Sequence, residues 1–352
     1  MKSPSSTSSS DHPAPPVAPA ARKPTLWGFF GAILLVAALA AAAQFGIDAL
    51  WPPKFGWTIT HMPHEYAKTI VFLGDSIDAS FDHDEEDSLP LSTLVSIAAD
   101  HKVGAVALGG YDMRLFRDYI RAMGDSIAAG PTNTWVITVN LANYSGNGRD
   151  PWTRNKLHIA DMRQLFHRPL RAFARPMRIF RFPAYRPDLR PEEDLRRPIF
   201  WQGRFIGRNR DFSDTRFKVK EVTDDLRREN VILRYGQPLS PDNLNLRATA
   251  EAARMLRRFG QRAVFCIMPC DVQRCDALLD GAVSPILDEK AATIAAAALD
   301  AGGEVLDMHK AYPDECFIQD QYPNEHLRNA GRSALASAIA DFIRTNSPAQ
   351  YP

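Results

Sequence analysis

Cysteine is scarce in this sequence, with four in 352 residues, at positions Cys266, Cys270, Cys275 and Cys316. Four are too few for a disulfide-built scaffold, and their spacing is not that of a structural zinc site, so the fold must rest on an apolar core. Net charge is just as scant: 42 basic against 41 acidic residues leave +1. No global field draws the molecule onto nucleic acid or an anionic bilayer, so any electrostatic recognition has to be local. Metal-ligand spacing is missing too. His61, His64, His83, His101, His158, His167 and His309 form no defensible pair, and the acidic run Asp82 to Asp87 lacks the glycine and terminal glutamate of a calcium loop. No metal and no cofactor is expected. What the chain does have is 45% hydrophobic residues, enough to bury the core of one large domain or two small ones.

The first 24 residues are rich in Ser, Pro and Ala, a composition that buries too little apolar surface to offset the entropy of ordering. They read as a disordered cytoplasmic tail. Thr25 to Ile47 then carries no charged residue, a length sufficient to cross a hydrocarbon core of ~30 Å as a helix. We expect a transmembrane helix within 25–50, with a cleaved signal peptide as the competing reading because Ala41 to Ala43 suit a peptidase. Lys2, Arg22 and Lys23 precede the run and only Lys54 follows nearby, which leaves the N-terminus in the cytoplasm and the rest in the periplasm or outside the cell. A linker, 51–66, follows, containing Pro52, Pro53 and Pro63. Nucleic acid is therefore not expected as a partner.

Within 67–346, short apolar runs alternate with amphipathic helical stretches. TIVFLG (Thr69 to Gly74), VGAVALG (Val103 to Gly109), TWVITVN (Thr134 to Asn140), RAVFCIMP (Arg262 to Pro269) and EVLDM (Glu304 to Met308) read as strands buried on both faces. The last helix is expected over Asn329 to Arg344, with Leu335, Ile339, Phe342 and Ile343 on one stripe. This order specifies an α/β fold with a parallel sheet covered on both sides. The stretch 145–241 breaks the alternation, is rich in Arg, Pro and aromatics, and reads as an insertion or cap. Arg171, Arg175, Arg178 and Arg181 share a helix face that is either a solvated surface or a site for an anionic polymer or lipid headgroups.

The candidate chemistry gathers at strand ends, where side chains of a parallel sheet converge on one edge. The first strand stops at Gly74-Asp75-Ser76, which presents a serine nucleophile. Gly109 and Gly110 follow the second strand, where a glycine lets a backbone N–H approach an oxyanion closely. Asn140 follows the third and offers an amide donor, with Asn143 as the fallback. His326 stands just before the last helix as the base. A second Gly-Asp-Ser, Gly124 to Ser126, falls inside a helical stretch and has no such context. Cys270 and Cys275 are expected in a loop after the fourth strand, where an oxidising compartment would allow a disulfide whose connectivity the sequence does not fix, and Cys266 as a buried thiol.

These residues resemble the four blocks of the SGNH (GDSL-like) hydrolase superfamily, over roughly Thr69 to Thr345. Gly74-Asp75-Ser76-Ile77 is similar to the nucleophile block, Gly109 or Gly110 to the glycine block, Asn140 to the asparagine block, and His326-Leu327 with Gly331 to the histidine block. The resemblance implies a flavodoxin-like three-layer α/β/α sandwich and ester hydrolysis or acyl transfer. Two positions depart from the family pattern: Pro323 stands where the acid three residues before the histidine is usual, so the resemblance implies Asp320 as the acid if Gln321 to Asn324 bulge out, with Glu325 adjacent but expected to point elsewhere, and Val139-Asn140-Leu141 replaces Gly-x-Asn-Asp. Anchored relatives of this kind serve membrane-bound O-acyltransferases, so the expected partners are an acylated envelope polysaccharide and such an acyltransferase. Two other readings compete: a non-catalytic assembly or polymer-binding protein with a degraded triad, and a scaffold whose working surface is the arginine-rich insertion.

Overall fold

The computed structural model describes residues 29–39, 42, 70–79, 89–107, 111–122, 124–145, 198–208, 222–318 and 322–346. Asp320, Gly109, Gly110, Arg171, Arg175, Arg178, Arg181 and the acidic run at 82–87 lie outside them. The chain divides into two compact units, Met1–Pro52 and Pro53–Pro352. In the first, residues 29–39 are helical. Among the described residues no helix is long and apolar enough to cross a membrane, and the remainder of the expected span, apart from residue 42, lies outside the described residues.

In the second unit all five apolar runs are strands of one parallel sheet. They are β1 (Ile70–Gly74), β2 (Val103–Ala107), β3 (Thr134–Val139), β6 (Arg262–Ile267) and β7 (Glu304–Asp307), in the spatial order β2-β1-β3-β6-β7. Register is fixed by pairs such as Ile70 with Val103, Ile70 with Thr134, Thr134 with Arg262 and Val264 with Glu304. Counting these strands alone, the order is 2-1-3-4-5, in which the strand order reverses between β1 and β3 and opens a crevice at their carboxyl ends.

Strand periodicity assigns side chains to two cores. Val71, Leu73, Trp135, Ile137, Val139, Phe265 and Ile267 face one side, where α3 (Met113–Ala122), α5 (Asp224–Arg234), α6 (Leu244–Arg258) and α8 (Ser284–Asp300) cover them. Ile70, Phe72, Val136 and Cys266 face the other, against Leu91 and Val95 of α2 (Leu91–Ala99) and Leu335, Ile339 and Ile343 of α9 (Asn329–Thr345). Every one of these side chains is at most 7% exposed, so the alternation of period two builds a three-layer α/β fold from one set of strands.

Two short helices, α1 (Ser76–Ala79) and α4 (Gly124–Ala128), follow β1 and α3, and the second Gly-Asp-Ser falls on α4. From the stretch expected as an insertion, a hairpin of β4 (Pro198–Trp201) and β5 (Arg204–Arg208) is described together with α5. Val231, Ile232 and Tyr235 of that stretch belong to the main core. The loop expected to hold both Cys270 and Cys275 is shorter than the sequence implies, because α7 (Val272–Leu278) starts inside it. Asp271 caps α7 by accepting from Arg274 N–H at 3.2 Å, which makes Cys270 and Cys275 the residues on either side of a helix-start staple. Both are buried free thiols in hydrogen-bonding contact, not a disulfide. Cys266 is a buried thiol as well, its pKa pushed up to about 12 by burial.

Candidate active site

The turn that carries Ser76 begins where β1 can no longer carry side chains. A Cβ on Gly74 would lie 2.9 Å from Phe72 and 3.1 Å from Ala107, so only glycine lets the chain turn this tightly against β2. Asp75 follows, buried, with its Oδ1 accepting from Ile77 N–H at 3.1 Å. Ser76 opens α1 and is partly accessible.

His326 arrives from the other end of the chain on a loop that is held at several points. Its N–H donates to Asn324 Oδ1 at 2.8 Å, and Ile318 N–H donates to its carbonyl at 2.9 Å beside an isolated bridge between Phe317 and Leu327. Asp271 N–H donates to Asn324 O at 3.2 Å, which ties the same loop to α7. So held, His326 Nε2 lies 3.2 Å from Ser76 Oγ across 250 positions of chain. That is the hydrogen bond a base and its nucleophile require. Among the described residues no side chain is hydrogen bonded to His326 Nδ1.

Asn140 sits at the end of β3, also on the crevice. Its Oδ1 accepts from Ala142 N–H at 3.0 Å, which fixes the orientation of the amide. Nδ2 then donates to Asp75 Oδ2 and to Glu325 Oε1, each at 2.9 Å. Both amide hydrogens are thereby used on carboxylates, and donation to an oxyanion at Ser76 would require one of these bonds to be given up. Asn143 donates through Nδ2 to Tyr111 O at 3.3 Å instead.

Glu325, adjacent to His326 and expected to point elsewhere, is the centre of a buried polar cluster. Arg234 Nη2 donates to its two oxygens at 2.7 and 2.6 Å, and Tyr235 Oη donates at 2.7 Å. Burial alone would raise this carboxyl, but Arg234, then His326, with the bonds from Tyr235 and Asn140, hold it down at about 2. Asp75 goes the other way: burial first and the charge of Glu325 second push it up to about 6. Beneath them Lys290 Nζ donates to Ser145 Oγ at 2.7 Å and to Tyr235 O at 2.8 Å, while Ser145 Oγ donates to Arg234 O. The carbonyls of Arg234 and Tyr235 are therefore pinned, and their side chains are aimed at Glu325. Burial brings the Lys290 ammonium down to about 7.

Adjacency to His326 made Glu325 visible in the sequence but not its orientation toward Asn140, Arg234 and Tyr235. Arg234 and Tyr235 carried no signal, since they stand in the stretch that reads as an insertion. Among the described residues no group of His, Cys, Asp and Glu could hold a metal ion.

No family model and no curated protein matches this chain. Solved structures do resemble it at a distance. The protein YxiM of Bacillus subtilis shares 10% identity over 81% of this chain with a TM-score of 0.41, and the chain spans 58% of that protein's length. An acetylxylan esterase from Geobacillus stearothermophilus shares 13% identity over 79% of this chain and 94% of its own, with a TM-score of 0.35. A point mutant of an acetyl-xylooligosaccharide esterase from the same organism gives 12%, 82%, 97% and 0.37.

Proposed function

We propose that this chain is a serine esterase or O-acyltransferase of the SGNH type. The observation that carries the reading is the 3.2 Å contact of His326 Nε2 with Ser76 Oγ at the crevice between β1 and β3. In the reaction, Ser76 Oγ attacks an acyl carbonyl carbon while its proton passes to His326 Nε2. Collapse of the tetrahedral intermediate expels the alcohol, which takes that proton, and leaves an acyl-serine. Water, or the hydroxyl of an acceptor sugar, then attacks the acyl-serine with His326 again taking the proton. Backbone N–H groups of Ser76, Gly109 and Gly110 would receive the oxyanion, and Asp320 would orient the imidazole. The acyl donor or product is an ester on an envelope or exported polysaccharide. An N-terminal anchor over 25–50, with the catalytic unit in the periplasm or cell exterior and a membrane-bound O-acyltransferase as partner, completes the reading.

The test is release of p-nitrophenol from its acetate ester by the wild type beside Ser76→Ala. A loss of about a thousandfold or more is expected in the variant, and equal rates would overturn the proposal. A second reading, a non-catalytic protein that keeps the fold, is favoured by one feature: the Asn140 amide is used on Asp75 and Glu325.

A further inference from the structure

Two chain neighbours share one device. Ser76 directly follows Asp75, His326 directly follows Glu325, and the same Asn140 Nδ2 donates to both carboxylates at 2.9 Å. Asp75 and Glu325 are 3% and 4% exposed, and Asn140 is 5% exposed, so these bonds are made out of water, where charge-assisted hydrogen bonds are strong. Each carboxylate is otherwise fixed on its own side, Asp75 by Ile77 N–H and Glu325 by Arg234 and Tyr235. Asn140 itself cannot swing, since its Oδ1 accepts from Ala142 N–H and its carbonyl accepts from Asn143 N–H at 3.0 Å.

We infer that Asn140 is a positioning residue: its amide is a spacer between Asp75 and Glu325 that sets the separation of Ser76 from His326. This rests on the reading of Ser76 and His326 as nucleophile and base, and it assigns to Asn140 a task other than oxyanion donor. Without the amide, two buried carboxylates face each other with nothing between them. Their repulsion pushes the turn carrying Ser76 away from the loop carrying His326, and a displacement of about 1 Å between reacting groups is enough to cost about a hundredfold. The charged and titratable groups around the pair are Arg234, Tyr235 and His326 on Glu325, with Cys270 beside Arg234 and Tyr235. Among the described residues, the charged neighbour of Asp75 is Glu325. Arg234 is committed to Glu325, so Asp75 is the carboxylate free to take up a proton as pH falls, which removes the repulsion.

The experiment compares full-length wild type with Asn140→Ala by the rate at which a fluorophosphonate probe labels Ser76, at pH 8 and pH 5. The expected ratio of variant to wild type is down by about a hundredfold at pH 8 and recovers at least about tenfold at pH 5. An oxyanion donor would instead give a loss of about 10²- to 10³-fold that is the same at both pH values, and that result overturns the inference. In the double variant Asn140→Ala with Glu325→Gln, which keeps the shape and removes one charge, the dependence on pH should vanish. Melting supplies a readout that needs no activity: the drop in Tm caused by Asn140→Ala should be larger at pH 8 than at pH 5, and equal drops overturn the spacer. Wild type that fails to label would sink the serine-hydrolase reading, while the melting comparison still decides the spacer.

Discussion

A buried amide lies beside each end of β3, Gln261 from the residue before β6 and Asn140 from the residue after β3, and the two are used in opposite ways. At its amino end Gln261 Oε1 accepts from Asn133 N–H at 2.8 Å and Trp135 Nε1–H at 3.3 Å, while Nε2 reaches the carbonyls of Ile127, Pro131 and Phe259. Every partner is neutral, so Gln261 joins loops without creating any charge that responds to pH. At its carboxyl end Asn140 spans two carboxylates whose pKa values are driven apart, to about 6 and about 2. The first amide closes the backbone hydrogen-bond account of the sheet. The second stores electrostatic tension where the strand order reverses, as sites that carry chemistry commonly do.

Removing the cation should give the largest effect. Arg234→Met leaves Glu325 buried with its main counter-charge gone, and breaking such a pair typically costs about 3–5 kcal/mol. Urea unfolding at pH 7 measures it; a loss below about 1 kcal/mol would mean that Arg234 and Glu325 are already solvated. The next effect is a pH dependence at one end of β3 only. The folded pKa of Asp75 lies above its usual value, so ionisation opposes folding, and stability falls as pH rises from about 4 through about 6. Wild type should lose about 2 kcal/mol relative to Asp75→Asn between pH 4 and pH 7, and parallel curves would refute the buried, raised carboxyl. Glu325 has the opposite sign, with stability present above its ordinary pKa and lost as pH falls toward about 2. Gln261→Leu should cost about 2 kcal/mol, the penalty of orphaned buried groups, by an amount that does not change over the same pH range. A pH-dependent cost there would erase the contrast between the two ends.

The sheet could be read from sequence because each strand is a short apolar run with no polar face, and five such runs between helical patterns leave few arrangements. The meeting of Ser76 with His326 could be anticipated because one stands at a strand end and the other on a loop before a helix, both at the edge where a parallel sheet gathers side chains. The clamp around them could not. Arg234 and Tyr235 look like any residues at the end of an amphipathic helix, and nothing local says that Lys290 and Ser145 pin their carbonyls. The thiols show the same limit. Cys270 and Cys275 look like loop residues until Asp271 caps a helix between them. Partnerships across 65 to 185 positions, such as those of Asn140, have no periodicity to reveal them.

The smallest effect should come from a third cluster at the carboxyl end of the sheet, where charges face water. His309, just past β7, places Nδ1 2.7 Å from Asp307 Oδ1 and Nε2 2.9 Å from Asp288 Oδ1, and Lys310 Nζ donates to Asp288 Oδ2 at 2.6 Å. Partial burial works against the imidazolium, but bonds to Asp307 and Asp288 outweigh it and raise the pKa. The stabilisation is therefore complete below the ordinary histidine pKa and is lost as pH rises through the folded value; the two aspartates, lowered in turn, lose theirs only in acid. Asp288 is 51% exposed, so screening leaves about half a kcal/mol for this pair. His309→Gln should lower Tm slightly at pH 5.5, have no effect at pH 9, and lose even the first difference in molar salt. Asn140→Ala should keep its effect in the same salt, because Asp75 and Glu325 are shielded from ions. A clamp that melts with salt as readily as His309 does would place Asp75 and Glu325 in solvent, where neither could hold Ser76 against His326.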